Sequence, residues 1–318
     1  MQPKVIGTED IRLVLTFERL IPAIREGFRD YYLGRTKVAP LTNIDLPEAN
    51  GEMHIKPGYM VDGDYICVKI VTCFYDNPQR GLPTRDGALV LASKQTGKIE
   101  AVLCDSGLIT DMRTAGSSAV AVDALAREGA VTLGLVGAGT QAFWHVEAIR
   151  QVRSVDKVVV WGRNAERTAA AARRIFEATG IVAEPGTLAA AAACDVVVCA
   201  TPAAEPILTR EMLRPGAVVV AMGADTVGKR ELGPEIVRQA GLVVADSLEQ
   251  CRQYGELQWL DADAGGPRVI ELGALLAGDA KGRASADEIV IYDSTGVAFQ
   301  DVVGAAEVLQ QTRELSHA

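Results

Sequence analysis

Histidine is scarce in this chain. His54, His145 and His317 stand far apart with no ligand spacing among them, so no metal site is expected. The six cysteines, at 67, 73, 104, 194, 199 and 251, form no CxxC pair. Four of them sit in or against apolar strand-like runs, and the set is expected as buried thiols in a reducing compartment. No block of lysine and arginine interleaves with aromatics and the formal net charge is -9, which excludes nucleic acid as the expected partner. No apolar run reaches the roughly 18 residues that a membrane span needs. The opening stretch MQPKVIGTEDIRL has neither the basic nor the apolar region of a signal peptide, so a cytoplasmic protein with no membrane partner is expected. There is no internal repeat and no low-complexity linker, and 318 residues suffice for two tightly joined domains.

What is present begins with VTLGLVGAGTQAFWHVEAIRQ, residues 131–151. An apolar run stops at Gly137-Ala138-Gly139 and a helical pattern starts at once, with Ala142 in the third small position. In a strand-turn-helix the first glycine permits the tight turn, the second lets backbone approach a pyrophosphate, and the third small residue allows close helix packing. The phosphates would meet unpaired N–H groups at a helix start. Further β-branched runs follow at 157–161, 195–200, 217–222, 242–245 and 288–292, alternating with helical stretches such as 165–180. Strands apolar on both faces imply a parallel sheet covered by helices, a doubly wound (Rossmann) α/β domain. The alanine-rich stretch 189–193 is expected as a short helix.

The first 115 or so residues differ. An amphipathic helix near Phe17 to Leu33 precedes strand-like segments at 51–60, 65–75 and 87–103, the last a hairpin turning near Gln95-Thr96-Gly97. This is the pattern of an α+β domain with antiparallel pairing. A helix following Thr110, with the small residues TAGSSA at 114–119, joins the two halves.

Several residues are chemically out of place. In the strand YICVKIVTCFY, 65–75, Lys69 shares a face with Tyr65, Cys67, Val71 and Cys73. There it must reach water, pair with an anion or lose its proton, which fits a substrate site; the alternative is an edge strand whose lysine snorkels outward. Asp225 follows the run 217–222 at the carboxyl end of a parallel strand, where ligands bind in such sheets. It is a candidate acid and base, or else a cap for a helix near Lys229 to Ala240. Arg113 is a bidentate carboxylate clamp or a solvated side chain. The loop Asp293-Ser294-Thr295-Gly296 ends the last strand at the same edge, unless it is an ordinary turn. At the end of the second strand, Trp161-Gly162-Arg163-Asn164 contains no carboxylate to select NAD. Arg163 suits a 2'-phosphate, so NADP(H) is favoured with NAD(H) possible, the alternative being a solvated arginine at a helix start.

Taken together, LITDMRTAGSSAVAVDALA (108–126), GLVGAGTQA (134–142), ATPAAEPIL (200–208), MGADTVGKREL (222–232) and DSTGVAFQD (293–301) resemble the ornithine cyclodeaminase and mu-crystallin family along nearly the whole chain. The resemblance implies a split substrate and dimerisation domain, here 1–118 plus 302–318, around a nucleotide-binding domain, 119–301, and it implies homodimers. It places Lys69 and Arg113 on the substrate carboxylate and makes Asp225, with Lys69, the catalytic pair. The nucleotide set is Gly137, Gly139, Thr140, Gln141, Arg163, Thr201, Ser294 and Gly296. The mu-crystallin branch lacks the catalytic carboxylate, so Asp225 favours an enzyme. The chain departs from the family at Leu41, where an arginine often stands, and at His54, where relatives carry glutamate or arginine. His54 is retained as a substrate-side candidate, and Lys56 is expected to face solvent.

The leading expectation is an NAD(P)H-dependent oxidoreductase moving hydride between nicotinamide C4 and the α-carbon of a small amino or imino acid. One alternative is a redox-neutral ornithine- or lysine-type cyclodeaminase with bound NAD+. The other is a mu-crystallin-like, NADPH-dependent binding protein without turnover.

Overall fold

Runs such as Val196–Cys199 and Val218–Ala221, in which every side chain is buried, are stable only where both faces of a sheet are covered. In the computed structural model they form the middle of one. The structure describes residues 2–40, 42–260 and 265–317. Leu41 lies outside them, and so does the side chain of His317. The chain divides into two compact units, Met1–Thr114 with Val297–Ala318, and Ala115–Gly296. One division falls inside the helix Leu108–Leu125, which starts ahead of Thr110. The other gives Asp301 to the first unit, although 301 was expected to close the nucleotide domain.

The second unit holds eight strands among its described residues, all parallel. In space they run Ala183–Pro185, Val155–Trp161, Val131–Val136, Val196–Cys199, Val218–Ala221, Val290–Asp293, Leu242–Ala245, Arg268–Glu271. The strand first in sequence, Val131–Val136, lies between Val155–Trp161 and Val196–Cys199. The chain therefore winds first to one side and then to the other, which opens a crevice at the carboxyl ends of Val131–Val136 and Val196–Cys199. Valines 196, 197, 218, 219 and 220 are fully buried, each stabilising the sheet by roughly 1.5–3 kcal/mol. The helix Ala165–Thr179 starts at the Asn164 cap and stops at Gly180, and Leu188–Ala192 is helical. The edge strands Ala183–Pro185 and Arg268–Glu271 were not expected. The helix anticipated near Lys229 to Ala240 is Pro234–Gln239, with the proline at its first position, where the missing N–H leaves no intrahelical bond unmade.

The first unit contains a seven-stranded sheet. Lys4–Gly7, Ile99–Cys104, Arg85–Ser93, Tyr65–Phe74, Gly51–Met60 and Thr36–Val38 are neighbours in that order, and Thr42–Leu46 also pairs with Gly51–Met60. Pairing is antiparallel except that Lys4–Gly7 runs parallel to Ile99–Cys104. The helix Phe17–Tyr32 buries Phe17, Leu20, Ile21, Ile24 and Phe28, spacings that line one helical face. Phe28 meets Phe299 of the helix Ala298–His317 edge to face at 4.9 Å. Cys67, Cys194, Cys199 and Cys251 are buried free thiols, but Cys73 is half-buried and Cys104 exposed, a correction to the uniform burial expected. No helix among the described residues is long and apolar enough to cross a membrane.

Candidate active site

In the first unit the sheet places Lys69 at its centre, since Tyr65–Phe74 is hydrogen-bonded on both sides, to Gly51–Met60 and to Arg85–Ser93. The edge-strand alternative is thereby excluded, and Lys69 is 2% exposed. Its Nζ lies 2.7 Å from Asp301 Oδ2 and donates to Thr110 Oγ1 at 3.4 Å. Arg113, one helical turn beyond Thr110, is also buried rather than solvated. Its Nε donates to Asp301 Oδ1 at 3.1 Å and its Nη1 to Gln300 Oε1 at 2.9 Å. Two buried cations thus share one carboxylate, each oxygen facing a different one.

Burial pulls the Lys69 ammonium pKa down, Arg113 and Lys56 add to that, and Asp301 opposes it. Burial alone would raise the Asp301 carboxyl, but Lys69, Arg113 and Lys56 together hold it below the usual carboxylate range. Lys56 is half-buried and directly opposite Lys69 in the strand register, not solvent-facing as expected. His54 follows on the same face, opposite Val71, with Nε2 3.1 Å from Glu52 Oε2.

In the second unit the glycine turn has the form the sequence implied. Gly137 adopts φ 123°, and a Cβ there would meet the Ala200 carbonyl oxygen at 2.7 Å, so only glycine fits. A Cβ on Gly139 would meet nothing within 4 Å. The open space beside Gly139 adjoins the start of the helix Thr140–Ile149, which carries no side-chain cap and fits the pyrophosphate of a dinucleotide. Thr140 is exposed and Gln141 half-buried in its first turn, and Ala142 is buried. Behind the turn, the His145 Nδ1 proton bonds to the Gln141 carbonyl at 2.8 Å while Nε2 accepts from Ser118 Oγ at 3.0 Å. Burial lowers its pKa to about 4 against the opposing Gln141 bond, so His145 is a neutral structural imidazole. Arg163 is exposed just past the strand Val155–Trp161, and its guanidinium makes no bond to another described residue.

The remaining nucleotide candidates are held by buried acids that sequence reasoning missed. Glu231 accepts from the Thr201 N–H and hydroxyl and from the Gly223 N–H, each at 2.7 Å. The Glu231 and Leu232 N–H groups donate to Glu256 Oε1 at 2.7 and 3.2 Å. Asp293 in turn accepts from the Glu256 and Leu257 N–H groups, both at 3.0 Å. Asp246 Oδ2 accepts from Ser294 Oγ and from the Thr295 and Gly296 N–H groups at 2.7–2.9 Å. The loop 293–296 is therefore an anchored edge rather than an ordinary turn, and the donors of Thr201, Ser294 and Gly296 are directed to carboxylates of the protein itself. Asp225, four residues past the strand Val218–Ala221, is exposed with Oδ1 2.6 Å from Lys229 Nζ. It lies nine residues ahead of Pro234, where the next helix begins, and cannot cap that helix.

Desolvation raises the carboxyl pKa of Glu231, Glu256 and Asp293 to about 7 each, against the hydrogen bonds that lower it. A carboxyl that titrates higher folded than unfolded contributes stability below its unfolded pKa and loses that contribution as pH rises through the folded one. Chemical denaturation is thus expected to show stability falling between about pH 4.5 and pH 7, by roughly 3 kcal/mol per such group. Glu256→Gln, whose amide can occupy the place of the partnerless buried Oε2, is expected to flatten that slope; an unchanged slope would contradict the assignment.

The fold and the glycine turn define a doubly wound α/β protein of the dinucleotide-binding class. The chain belongs to the ornithine cyclodeaminase/mu-crystallin family, whose model matches residues 1–315. It is 36% identical over 288 residues to an uncharacterized cyclodeaminase of Sinorhizobium fredii, covering 88% of this chain and 86% of that one. Among solved structures it is similar to an archaeal alanine dehydrogenase dimer with bound NAD, at TM-score 0.91 and 30% identity, covering 99% of this chain and 98% of that one. It is likewise similar to the Thermococcus litoralis Δ1-pyrroline-2-carboxylate reductase in complex with NADH and L-proline, at TM-score 0.91 and 28% identity, covering 98% of each.

Proposed function

We propose that this protein is an NAD(P)H-dependent oxidoreductase acting on the carbon–nitrogen bond of a small amino or imino acid, working as a homodimer. The observation that carries the reading is the buried pair Lys69 and Arg113 sharing the single carboxylate of Asp301. Two cations against one anion leave a positive charge in a desolvated place, which a substrate carboxylate would balance. A similar structure in complex with NADH and L-proline supports this class of substrate. The apolar face opposite Lys69, with Ile70 37% exposed, supports a partner subunit, as does the dimeric alanine dehydrogenase.

In this reading Lys69 and Arg113 fix the substrate by its carboxylate, so that its α-carbon is held in one orientation. Asp225, exposed at the end of its strand, gives a proton to the substrate nitrogen or removes one through its carboxylate, with Lys229 holding Oδ1. His54 and Lys56 line the face beyond Lys69 and bear on the substrate side chain. Gly137, Gly139 and the N–H groups of Thr140 and Gln141 receive the pyrophosphate. Arg163 takes a 2'-phosphate, which makes NADP(H) the favoured coenzyme. Thr201, Ser294 and Gly296 shape the crevice edge through Glu231 and Asp246. When bound, the nicotinamide supplies or accepts hydride.

The test is NADPH oxidation with small 2-oxo acids plus ammonia or methylamine, beside preformed cyclic imines. Consumption with at least one is expected, and Arg163→Ala is expected to lower the NADPH over NADH preference by about 10- to 100-fold. Ammonia release from ornithine or lysine without net NADPH consumption would instead identify a cyclodeaminase. Tight NADPH binding with no turnover across the panel would identify a binding protein.

A further inference from the structure

Asp301 belongs to no role assigned so far, yet it is the group on which both substrate-side cations converge. It is 1% exposed, one turn into the helix Ala298–His317 and beside Gln300. Its two oxygens are divided: Oδ1 receives the Arg113 Nε proton at 3.1 Å, and Oδ2 lies 2.7 Å from Lys69 Nζ as a charge contact without an aligned hydrogen bond. Gln300 takes Arg113 Nη1 at 2.9 Å. The Nε and Nη1 groups of the guanidinium are thus each engaged, and Nη2 has no protein partner among the described residues. On Lys69, Thr110 accepts one ammonium proton and Asp301 Oδ2 faces the group as a charge contact.

We propose that Asp301 is the positioning residue of the carboxylate site: it bridges Lys69 and Arg113, favours the charged form of Lys69 while the site is empty, and leaves Arg113 Nη2 and the ammonium of Lys69 as the donors for a substrate carboxylate. The inference rests on the reading of Lys69 and Arg113 as carboxylate ligands. Without the aspartate, Lys69 would stand buried among like charges, with Arg113 on the neighbouring helix and Lys56 directly across the strand pair. The ammonium would then shed its proton rather than remain as an uncompensated buried charge. The other titratable groups facing Lys69 do not replace the anion. Asp105 is buried and engaged by the Ile109 N–H at 2.9 Å, and burial raises its pKa. The Cys67 thiol on the same strand is also pushed up by burial and stays protonated. With Asp301 in place the cluster carries a net charge of one from Lys69, Arg113 and Asp301, which one carboxylate neutralises.

The test uses the full chain and reads Lys69 without any substrate. Competitive labelling with trace acetic anhydride between pH 4.5 and 10, quantified at Lys69 by mass spectrometry, gives its titration. Asp301→Asn is expected to move that titration down by at least one pH unit, and Asp301→Glu, which keeps the charge, to restore it. Binding of pyruvate to the NADP+-saturated protein is then measured by calorimetry. The Asp301→Asn protein is expected to bind within threefold of wild type at pH 6 and to lose about tenfold in affinity per pH unit above its shifted titration. An unchanged Lys69 titration in Asp301→Asn overturns the positioning role. A shifted titration with pyruvate affinity that ignores it overturns the premise that Lys69 holds the carboxylate, so the two failures are distinguishable. Should Asp301→Asn not fold, Asp301→Glu still decides. Retention of the Lys69 titration with pyruvate affinity at least tenfold weaker, because the longer side chain displaces Arg113, supports the proposal; affinity within twofold of wild type contradicts it.

Discussion

Lys69→Met is expected to reduce kcat/KM for the imino acid by about 10²- to 10³-fold, with most of the loss in KM and with NADPH affinity unchanged. The size follows from the surroundings. Truncating one partner of a buried charge pair with a ligand costs about 2–5 kcal/mol in binding, and here the methionine withdraws the ammonium from the substrate carboxylate and leaves Asp301 facing Arg113 alone. Methionine fills nearly the volume of the lysine stem, so the sheet centre stays packed between Gly51–Met60 and Arg85–Ser93. The measurement is steady-state kinetics beside coenzyme titration of the same preparation. Wild-type KM with Lys69→Met would move the substrate site elsewhere.

Asp225→Asn is expected to lower kcat by about 10³-fold, within the range for loss of a general acid–base group, while KM and coenzyme affinity change less than threefold. The separation of effects is the informative part. Among the described residues, Asp225 is exposed and its one ion pair is with Lys229, four residues on in the same loop. Such a pair contributes about 0–1 kcal/mol to stability, so the asparagine protein should unfold at nearly the wild-type temperature. Full turnover in Asp225→Asn would remove this residue from proton transfer. A large loss of thermal stability would show that the pair with Lys229 holds the loop.

Local pattern made much of this fold legible. Consecutive valines at 158–160, 196–198 and 218–220 admit only a two-sided buried strand, and the glycine turn after Val136 carries its own geometric reason in the space beside Ala200. The hairpin at Gln95 to Gly97 and the helix face of Phe17, Leu20, Ile21, Ile24 and Phe28 are likewise fixed within a few residues of themselves. Short strands escaped because Thr36–Val38 and Ala183–Pro185 have three residues each, too few to display a period of two. The segment preceding Pro234 was misread as helix because its backbone partners are distant: Gly228 donates to Gln258 Oε1, and the N–H groups of Glu231 and Leu232 to Glu256.

The site was legible where one residue contradicts its own neighbourhood, as Lys69 does in an apolar strand. It was not legible where the meaning comes from a remote partner. Asp301 bonds Arg113 across 188 positions, and in sequence it is one acid in a helix start. Its signal was faint but present: the polar pair Gln300-Asp301 interrupts Ala298, Phe299, Val302 and Val303, all buried. Glu231 and Glu256 likewise look like surface acids until the backbone N–H groups that they collect are known.

The central claim is hydride exchange at the α-carbon of a carboxylate-bearing substrate, and isotope transfer tests it most directly. The purified protein would be supplied with NADPH deuterated at C4 in both configurations and with a cyclic imine carboxylate, and the amino acid product read by mass spectrometry and proton NMR. One deuterium at the α-carbon of the product is expected. Amino acid formed without deuterium at that carbon, or coenzyme that stays fully deuterated while ammonia accumulates from a diamino acid, would contradict the account.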